Sequence, residues 1–311
     1  MPSMTPADLA RLFGTTEDDL SAKCHDVIAG LDLRYRVPTK EERDDIILAA
    51  LKKSDSEQLV AAGAHRIAAW EDGWQENLND FIASGYDLRS LIPKYHQHHK
   101  KGLPVRLDRD FFIPESAEFV YNVTHIFRTW IFKSYVEPYD SVYEFGCGTG
   151  HNLAYLATLY PAKKFYGFDW ATSSQKIIQL VAEKYGWHIG GKNFNFFHPD
   201  TSIRIDPKSI VFTFGALEQV GSNHGAFLQF LLERKPTMCI NVEGLNELYD
   251  SDNLSDYLAL RYHSKRNYLN SYLTELKNLE SQGKIVIDKI HYQPFGFHDD
   301  PHSYVLWKPR V

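Results

Sequence analysis

The stretch Val142-Tyr143-Glu144-Phe145-Gly146-Cys147-Gly148-Thr149-Gly150 decides the fold of this chain. Its first four residues have the length and apolar character of a buried β-strand, and three alternate glycines follow at once. Residues 152–157 then have the composition of a helix. Glycine lets the backbone turn tightly and approach a ligand, and the start of a helix carries free N–H donors. Strand, glycine loop and helix in this order predict a site for a nucleotide-like ligand.

Beyond residue 141, short apolar runs alternate with segments long enough to hold a helix. The runs have strand length and occupy residues 142–145, 164–169, 193–197, 210–214 and 237–242. This alternation predicts a parallel sheet with helices on both faces. Two further β-rich runs, residues 284–291 and 303–307, lie too close together for a helical crossover, so we expect them to pair antiparallel. The predicted fold class is α/β, a seven-stranded, mostly parallel, doubly wound sheet with an antiparallel C-terminal hairpin.

The first part of the chain has a different pattern. Residues 1–115 are predicted to form a helical N-terminal cover or lid, and residues 116–311 to form the domain that contains the sheet. Within the first region, one long amphipathic helix is predicted over residues 56–84. The stretch 92–114 contains three prolines and a dense polar cluster, so we interpret it as a connector.

Composition narrows the class of protein and its partners. Hydrophobic residues make up 43% and charged residues 24%, as in soluble folded proteins. The net charge of −6 gives no overall attraction for nucleic acid phosphates. The three cysteines, Cys24, Cys147 and Cys239, are widely spaced, which argues against a disulfide framework. No apolar run approaches the ~18 residues that cross a bilayer, and the N-terminus lacks the pattern of a secretory signal. We expect a cytoplasmic protein with a small-molecule substrate, without nucleic acid or membrane partners, and leave a homodimer open.

The glycine spacing resembles a known family motif. Glu144 precedes the G-x-G-x-G pattern of Gly146, Gly148 and Gly150, and this arrangement resembles motif I of the class I (Rossmann-like) S-adenosylmethionine-dependent methyltransferases. A dinucleotide-binding loop would place its third glycine one residue later. The resemblance extends from about residue 120 onwards, because the closing hairpin matches the reversed seventh strand of that family. It implies a methyltransferase whose cofactor is S-adenosyl-L-methionine; a plain tight turn, or a site for another nucleotide, is the alternative.

The same resemblance implies which residues bind the cofactor. Asp169 lies about 20 residues beyond the glycine loop, where an acid accepts hydrogen bonds from ribose hydroxyls. Trp170 would flank the adenine and Asp200 would hold its amino group, while Glu144 and Phe214 would lie at the methionine end. The alternatives are a helix N-cap for Asp169 and a solvent-facing turn for Asp200. The full predicted set is Glu144, Gly146, Cys147, Gly148, Gly150, Asn152, Asp169, Trp170, Asp200 and Phe214.

The acceptor is expected at the ends of the fourth and fifth strands. Ligands of open α/β sheets bind outside the carboxyl ends of the strands, and Glu218 and Glu243 follow these two strands closely. Paired carboxylates can hold a cation and accept its proton. The pair is loosely similar to the two glutamates of arginine methyltransferases, although the spacing differs. We therefore predict N-methylation of an amine or guanidinium compound in small-molecule metabolism; two solvated loop acids are the alternative.

Two histidines support a second prediction. His224 follows the fourth strand, and His263 falls in a long helix predicted over residues 254–281. A neutral imidazole can take the proton of a hydroxyl, so O-methylation of a sugar or other hydroxyl is the alternative function. A cofactor-binding protein without catalysis ranks after both. The candidate catalytic residues are thus Glu218, Glu243, His224 and His263. No metal site is predicted, because residues 96–99, although rich in histidine, have no cysteine or carboxylate in ligand spacing.

Overall fold

The computed structural model describes residues 2–97 and 102–310, except for the side chains of residues 96 and 97. The helices and strands are, in chain order, α1 (Pro6–Phe13), α2 (Glu17–Ile28), β1 (Tyr35–Arg36), α3 (Lys40–Asp55), α4 (Ile67–Ala83), α5 (Lys94–Gln97), β2 (Val105–Leu107), β3 (Asp110–Pro114), α6 (Phe119–Tyr135), β4 (Ser141–Phe145), α7 (His151–Leu159), β5 (Lys164–Asp169), α8 (Thr172–Tyr185), β6 (Ile189–Asn193), β7 (Ser209–Phe214), α9 (Gly225–Arg234), β8 (Met238–Glu243), α10 (Leu254–Arg266), α11 (Tyr272–Ser281), β9 (Ile285–His291), β10 (Phe295–Gly296) and β11 (Ser303–Pro309).

The central sheet has seven strands in the order β6-β5-β4-β7-β8-β11-β9. The first five pair in parallel, and β11 pairs antiparallel with both β8 and β9. Every residue of β4 is buried, as expected for a central parallel strand with helices on both faces. The predicted fold class, with its antiparallel ending, is confirmed. The third strand of the sequence prediction, residues 193–197, instead lies at Ile189–Asn193, because Phe194 and Phe196 leave the sheet edge and become buried near the glycine loop.

The interpretation of residues 92–114 as a connector is wrong, because this segment contains the hairpin of β2 and β3. Asp108 and Arg109 between the two strands have φ of 50° and 63°, the left-handed backbone of a tight hairpin turn. The hairpin belongs to a second, four-stranded sheet in the order β1-β3-β2-β10. Its last strand comes from the far end of the chain, so the two regions divided at residue 115 share a sheet.

Two predicted long helices are interrupted. The helix predicted over residues 56–84 begins only at Ile67, after Gly63 at φ 148° and a short 3-10 turn. The helix predicted over residues 254–281 is divided into α10 and α11, since Asn267 and Ser271 both adopt left-handed backbone. Asparagine tolerates this conformation better than most residues and commonly ends helices. In the part of the chain that the structure describes, no helix has both the length and the apolar character needed to cross a membrane.

A buried arginine joins the small sheet to the C-terminal half. Arg106 on β2 is 1% exposed and forms two hydrogen bonds to the carboxylate of Asp300, at 3.0 and 2.8 Å. It forms a third, at 3.0 Å, to Asp256 on α10. The hydroxyl of Tyr292 lies 2.9 Å from an oxygen of each of the same two carboxylates and donates its one hydrogen between them. Each charged group of this buried network therefore has a hydrogen-bonded partner of opposite sign, which is the condition under which proteins tolerate buried ions.

Candidate functional site

A cavity opens at the carboxyl ends of β4, β5 and β7. Aromatic and polar side chains line it together, as in small-molecule and cofactor sites. The predicted cofactor residues line it, with the exceptions of Gly150 and Asp200. Gly150 stands directly behind the cavity, at the start of α7 with φ 70°. Most of the predicted cofactor residues therefore lie around one cavity.

The glycine loop is shaped so that no side chain fits. Gly146 has φ 77°, and a Cβ added there would overlap the Cβ of Ala216. Gly148 has φ 52°, and a Cβ there would lie 2.9 Å from Cζ2 of Trp74. Left-handed backbone and close packing both favour glycine at these positions. The loop thus brings bare backbone to the edge of the cavity.

Asp169 lies at the edge of the cavity and is not the N-cap of α8, which is Ala171. It lines the cavity, and its carboxylate accepts hydrogen bonds from the backbone N–H of Gly148 and of Ala171, both at 2.9 Å. Burial raises the pKa of this carboxyl to about 6. The residue therefore holds the glycine loop against the start of α8 and still presents its oxygens to the cavity.

Two buried groups of opposite charge face the cavity with unused hydrogen-bonding atoms. Glu144 is 1% exposed; Oε1 accepts a 2.7 Å hydrogen bond from Asn152, whereas Oε2 has no partner. Burial raises the pKa of Glu144 to about 8. Arg128, on α6, is 2% exposed; Nη1 lies 2.7 Å from Nε2 of His151, and Nε has no partner. Burial lowers the pKa of this guanidinium. Over residues 2–97 and 102–310, no carboxylate lies within ion-pair distance of Arg128.

Arg128 did not figure in the sequence prediction. Its only signal is an arginine inside the apolar run Ile126-Phe127-Arg128-Thr129-Trp130-Ile131. A charged residue on the buried face of a helix is uncommon, so such a position suggests a functional site.

Helix α4 lies over the cavity. Trp70 and Trp74 line it with ring centroids 5.2 Å apart, and Tyr95 follows 6.4 Å from Trp74. The carboxylate of Glu71 accepts hydrogen bonds from the backbone N–H groups of Thr172 and Ser173 at the start of α8, at 2.5 and 2.9 Å. These aromatic side chains are a further part of the site that the sequence pattern left unassigned. The side chains of residues 96–99 lie outside the described residues.

Asp200 and His224 lie away from the cavity lining. Asp200 accepts a 2.7 Å hydrogen bond from Lys192 and one from the N–H of Ser202, and Lys192 holds its pKa well below the usual range. It is the capping residue of an exposed turn, and aromatic side chains line the cavity in that region instead. His224 precedes α9, where Nε2 lies 3.0 Å from the carbonyl oxygen of Asn270, and burial lowers its pKa.

Glu218 and Glu243 are brought together beside the cavity. Glu243 is fully buried, and its Oε1 accepts a 3.2 Å hydrogen bond from the N–H of Ala216, which lines the cavity. Burial raises its pKa to about 7. Glu218 is half-buried; burial, and then the charges of Asp299 and Glu243, raise its pKa to about 8. His263 is 2% exposed, with Nε2 2.8 Å from the carboxylate of Asp299.

No family model and no curated protein matches this chain. Solved structures of similar fold include human N-acetylserotonin methyltransferase in complex with SAM, at 13% identity and a TM-score of 0.39, covering 63% of this chain and 60% of that chain. A SAM dependent methyltransferase from Aquifex aeolicus is 15% identical at a TM-score of 0.38, covering 59% of this chain and 89% of that one. A small RNA methyltransferase is 14% identical at a TM-score of 0.48, covering 65% of this chain and 28% of that one.

These likenesses concern the fold alone. The strand order of the central sheet, with β11 reversed between β8 and β9, is that of the class I S-adenosylmethionine-dependent methyltransferases. The family resemblance drawn from the glycine motif is confirmed at the level of the fold.

Proposed function

We propose that the protein is an S-adenosylmethionine-dependent methyltransferase that acts on a small polar metabolite. The observation that carries the proposal is the pair Arg128 and Glu144, buried beside the glycine loop and each with an unpartnered atom. The amino acid end of S-adenosylmethionine carries one carboxylate and one ammonium group, which match this pair in charge. An unpaired buried guanidinium is unfavourable, and the carboxylate of the ligand would compensate it.

The remaining lining residues fit the rest of that molecule. Asp169 and Trp170 both line the cavity, and we assign to Asp169 the hydrogen bonds to the ribose and to Trp170 the contact with the adenine. The cofactor supplies an electrophilic methyl group bound to a sulfonium. The protein then has to align the acceptor atom with the methyl–sulfur bond and exclude water, which α4 and its tryptophans are placed to do.

Gly148→Asp is expected to weaken S-adenosylmethionine binding at least tenfold, or about 1.4 kcal/mol, since the new side chain meets Trp74 and strains a left-handed backbone. Titration calorimetry measures the effect. Gly225→Asp is the matched control, because Gly225 is exposed and a Cβ there meets nothing within 4 Å. Absence of binding by the wild-type protein, or equal binding by Gly148→Asp, would contradict the proposed cofactor site.

For the acceptor, we propose an amine or guanidinium compound that binds beside Glu218 and Glu243. Two carboxylates at the strand ends can hold a cation, and one can take its proton before methyl transfer. The contact between His263 and Asp299 favours a second candidate, O-methylation, because a carboxylate-bound imidazole can deprotonate a hydroxyl. Production of S-adenosylhomocysteine with a panel of amines, guanidines and sugars separates the two. A panel without any turnover would instead favour a non-catalytic cofactor-binding protein.

For an amine acceptor, we expect kcat/KM to rise between pH 6 and pH 8. The pKa values of Glu243 and Glu218 are raised to about 7 and about 8, so both carboxyls become charged as the pH increases through this window. An ammonium binds to charged carboxylates, so kcat/KM should rise with pH over this range. Because the two acids interact, the pH profile reports their titration jointly. Glu218→Gln should flatten the rise. A wild-type profile that falls over this range would argue against carboxylates as the cation site.

We also propose the cytoplasm as the compartment. The three cysteines are free and buried in the described structure, which is the arrangement typical of a reducing environment.

A further inference from the structure

The loop between β10 and β11 brings one more carboxylate, Asp299, close enough to Glu218 for its charge to raise the pKa of that carboxyl. We propose that Asp299 of this loop, together with Glu218, binds the ammonium group of the acceptor, and that Glu243 holds the loop that carries Glu218. The inference rests on the proposed methyltransferase function and names the acceptor class within it, a primary or secondary amine carried as its ammonium form.

The register of the sheet places Asp299 there. Ser303 at the start of β11 pairs with Glu243 at the end of β8, so the residues just before Ser303 cross the carboxyl end of the sheet. His263 packs against Gly244, where an added Cβ would lie 2.8 Å from Cε1 of the imidazole. The same imidazole lies 2.8 Å from Asp299. Glu243, Gly244, His263 and Asp299 therefore form one continuous set of contacts.

Glu243 is more deeply buried than Glu218 and Asp299. It is 0% exposed, and backbone N–H groups of residues 216–218 point towards its carboxylate. A fully buried acid bonded to the backbone positions the loop after β7. Glu218, half-buried on that loop, and Asp299, whose side chain is 13% exposed, are the acids that a ligand can reach.

Among the described residues, no lysine or arginine forms an ion pair with Glu218 or Asp299, and the base in contact with Asp299 is His263, at 2.8 Å. Arg266 is engaged with the hydroxyl of Tyr268 and the carbonyl of Val60. His263, 2% exposed, keeps Nδ1 without a hydrogen-bond partner. Two partly buried carboxylates that have one imidazole between them, next to an unsatisfied buried nitrogen, point to a further positive ligand.

Tyr262 and Tyr268 lie near the two acids, since burial and then the charges of Asp299 and Glu218 raise the pKa of both hydroxyls. Tyr262 lies 4.8 Å from the ring of His298 and 5.9 Å from that of Tyr268, which in turn lies 5.5 Å from His263. The faces of aromatic rings attract ammonium groups, so these aromatic side chains favour a cationic ligand over a neutral hydroxyl compound.

The two acids have different environments and hence different roles. Contact with His263 lowers the pKa of Asp299, whereas burial and the neighbouring acids raise that of Glu218. Asp299 therefore stays charged and anchors the ammonium, and Glu218 accepts its proton. The freed nitrogen lone pair forms the new bond to the methyl carbon as the carbon–sulfur bond breaks with its electrons left on sulfur. The product is the methylated ammonium.

The test measures binding of n-butylammonium and of 1-butanol to the complex with S-adenosylhomocysteine, by ligand-observed NMR titration. We expect n-butylammonium to bind at least tenfold more tightly than 1-butanol. Asp299→Asn and Glu218→Gln should each remove that preference, which gives two independent variants if one folds poorly. Asp288→Asn, an acid in an exposed ion pair with Lys308, is the matched control and should bind as the wild-type protein does.

Equal binding of the two ligands to the wild-type protein, or an undiminished preference in Asp299→Asn, would overturn the inference. Failure of S-adenosylhomocysteine to bind the wild-type protein would contradict the proposed function instead. The two failures are distinguished within the same titration, because the cofactor product is added first.

Discussion

Arg128→Leu is expected to weaken S-adenosylhomocysteine binding at least 30-fold, or about 2 kcal/mol, without lowering the melting temperature of the free protein. The guanidinium is 2% exposed and has no carboxylate within ion-pair distance among the described residues. Removing it takes away the partner proposed for the carboxylate of the ligand. It also relieves the protein of an uncompensated buried charge, so stability should stay constant or rise. Calorimetry and a melting curve on the same variant measure the two effects.

A ligand comparison makes this prediction specific. 5′-Methylthioadenosine lacks the amino acid group, so it should bind Arg128→Leu and the wild-type protein equally well. The difference between the two ligands in the two proteins isolates the contact between arginine and carboxylate. Arg128→Lys keeps the positive charge but loses the planar guanidinium with its parallel N–H donors, and should give an intermediate affinity for S-adenosylhomocysteine. Equal losses for both ligands would show that Arg128 only shapes the cavity.

Arg106→Met is expected to lower the free energy of unfolding by about 3–5 kcal/mol. The substitution leaves the carboxylate of Asp300, which lies within the core, without its cation, and leaves the buried Asp256 with the more exposed Arg109 as its remaining cation. Urea denaturation followed by circular dichroism gives the value.

The matched control for Arg106 is Arg11→Ala. Arg11 forms an ion pair with Asp108 at 2.7 Å, but its side chain is 61% exposed, so the loss should stay below about 1 kcal/mol. If Arg106→Met cost no more than this control, the buried network would not be what joins the small sheet to the C-terminal half.

The sequence was most informative where chemistry is local. The loop from Gly146 to Gly150 needs left-handed backbone at fixed spacing, and glycine is the residue that signals it. The apolar runs of the central strands follow from burial on both faces, so five strands and their order of appearance could be predicted. The interruption of the predicted 254–281 helix depends on two left-handed residues, Asn267 and Ser271, which carry no such unambiguous signal.

The missed residues are those brought to the site over long sequence distances. Arg128, Trp74 and Asp299 come from α6, α4 and the loop before β11, and no spacing relates them to the glycine motif. Asp200 illustrates the opposite error. It follows the third strand as the family pattern suggests, yet an adjacent lysine and its own turn satisfy the carboxylate. A local sequence pattern does not determine which nearby group a side chain will bind.

The pairing of β10 with β2 has a consequence for how the chain acquires its structure. Phe295 pairs with Leu107, so β2 lacks its second neighbouring strand until the chain has been synthesised beyond residue 295, whereas β3 can already pair with β1. Contacts between residues so distant in sequence form slowly, because a long loop must close before they are made. The N-terminal region is therefore expected to complete its folding late, together with the hairpin of β9 and β11, and to unfold with it in one cooperative transition.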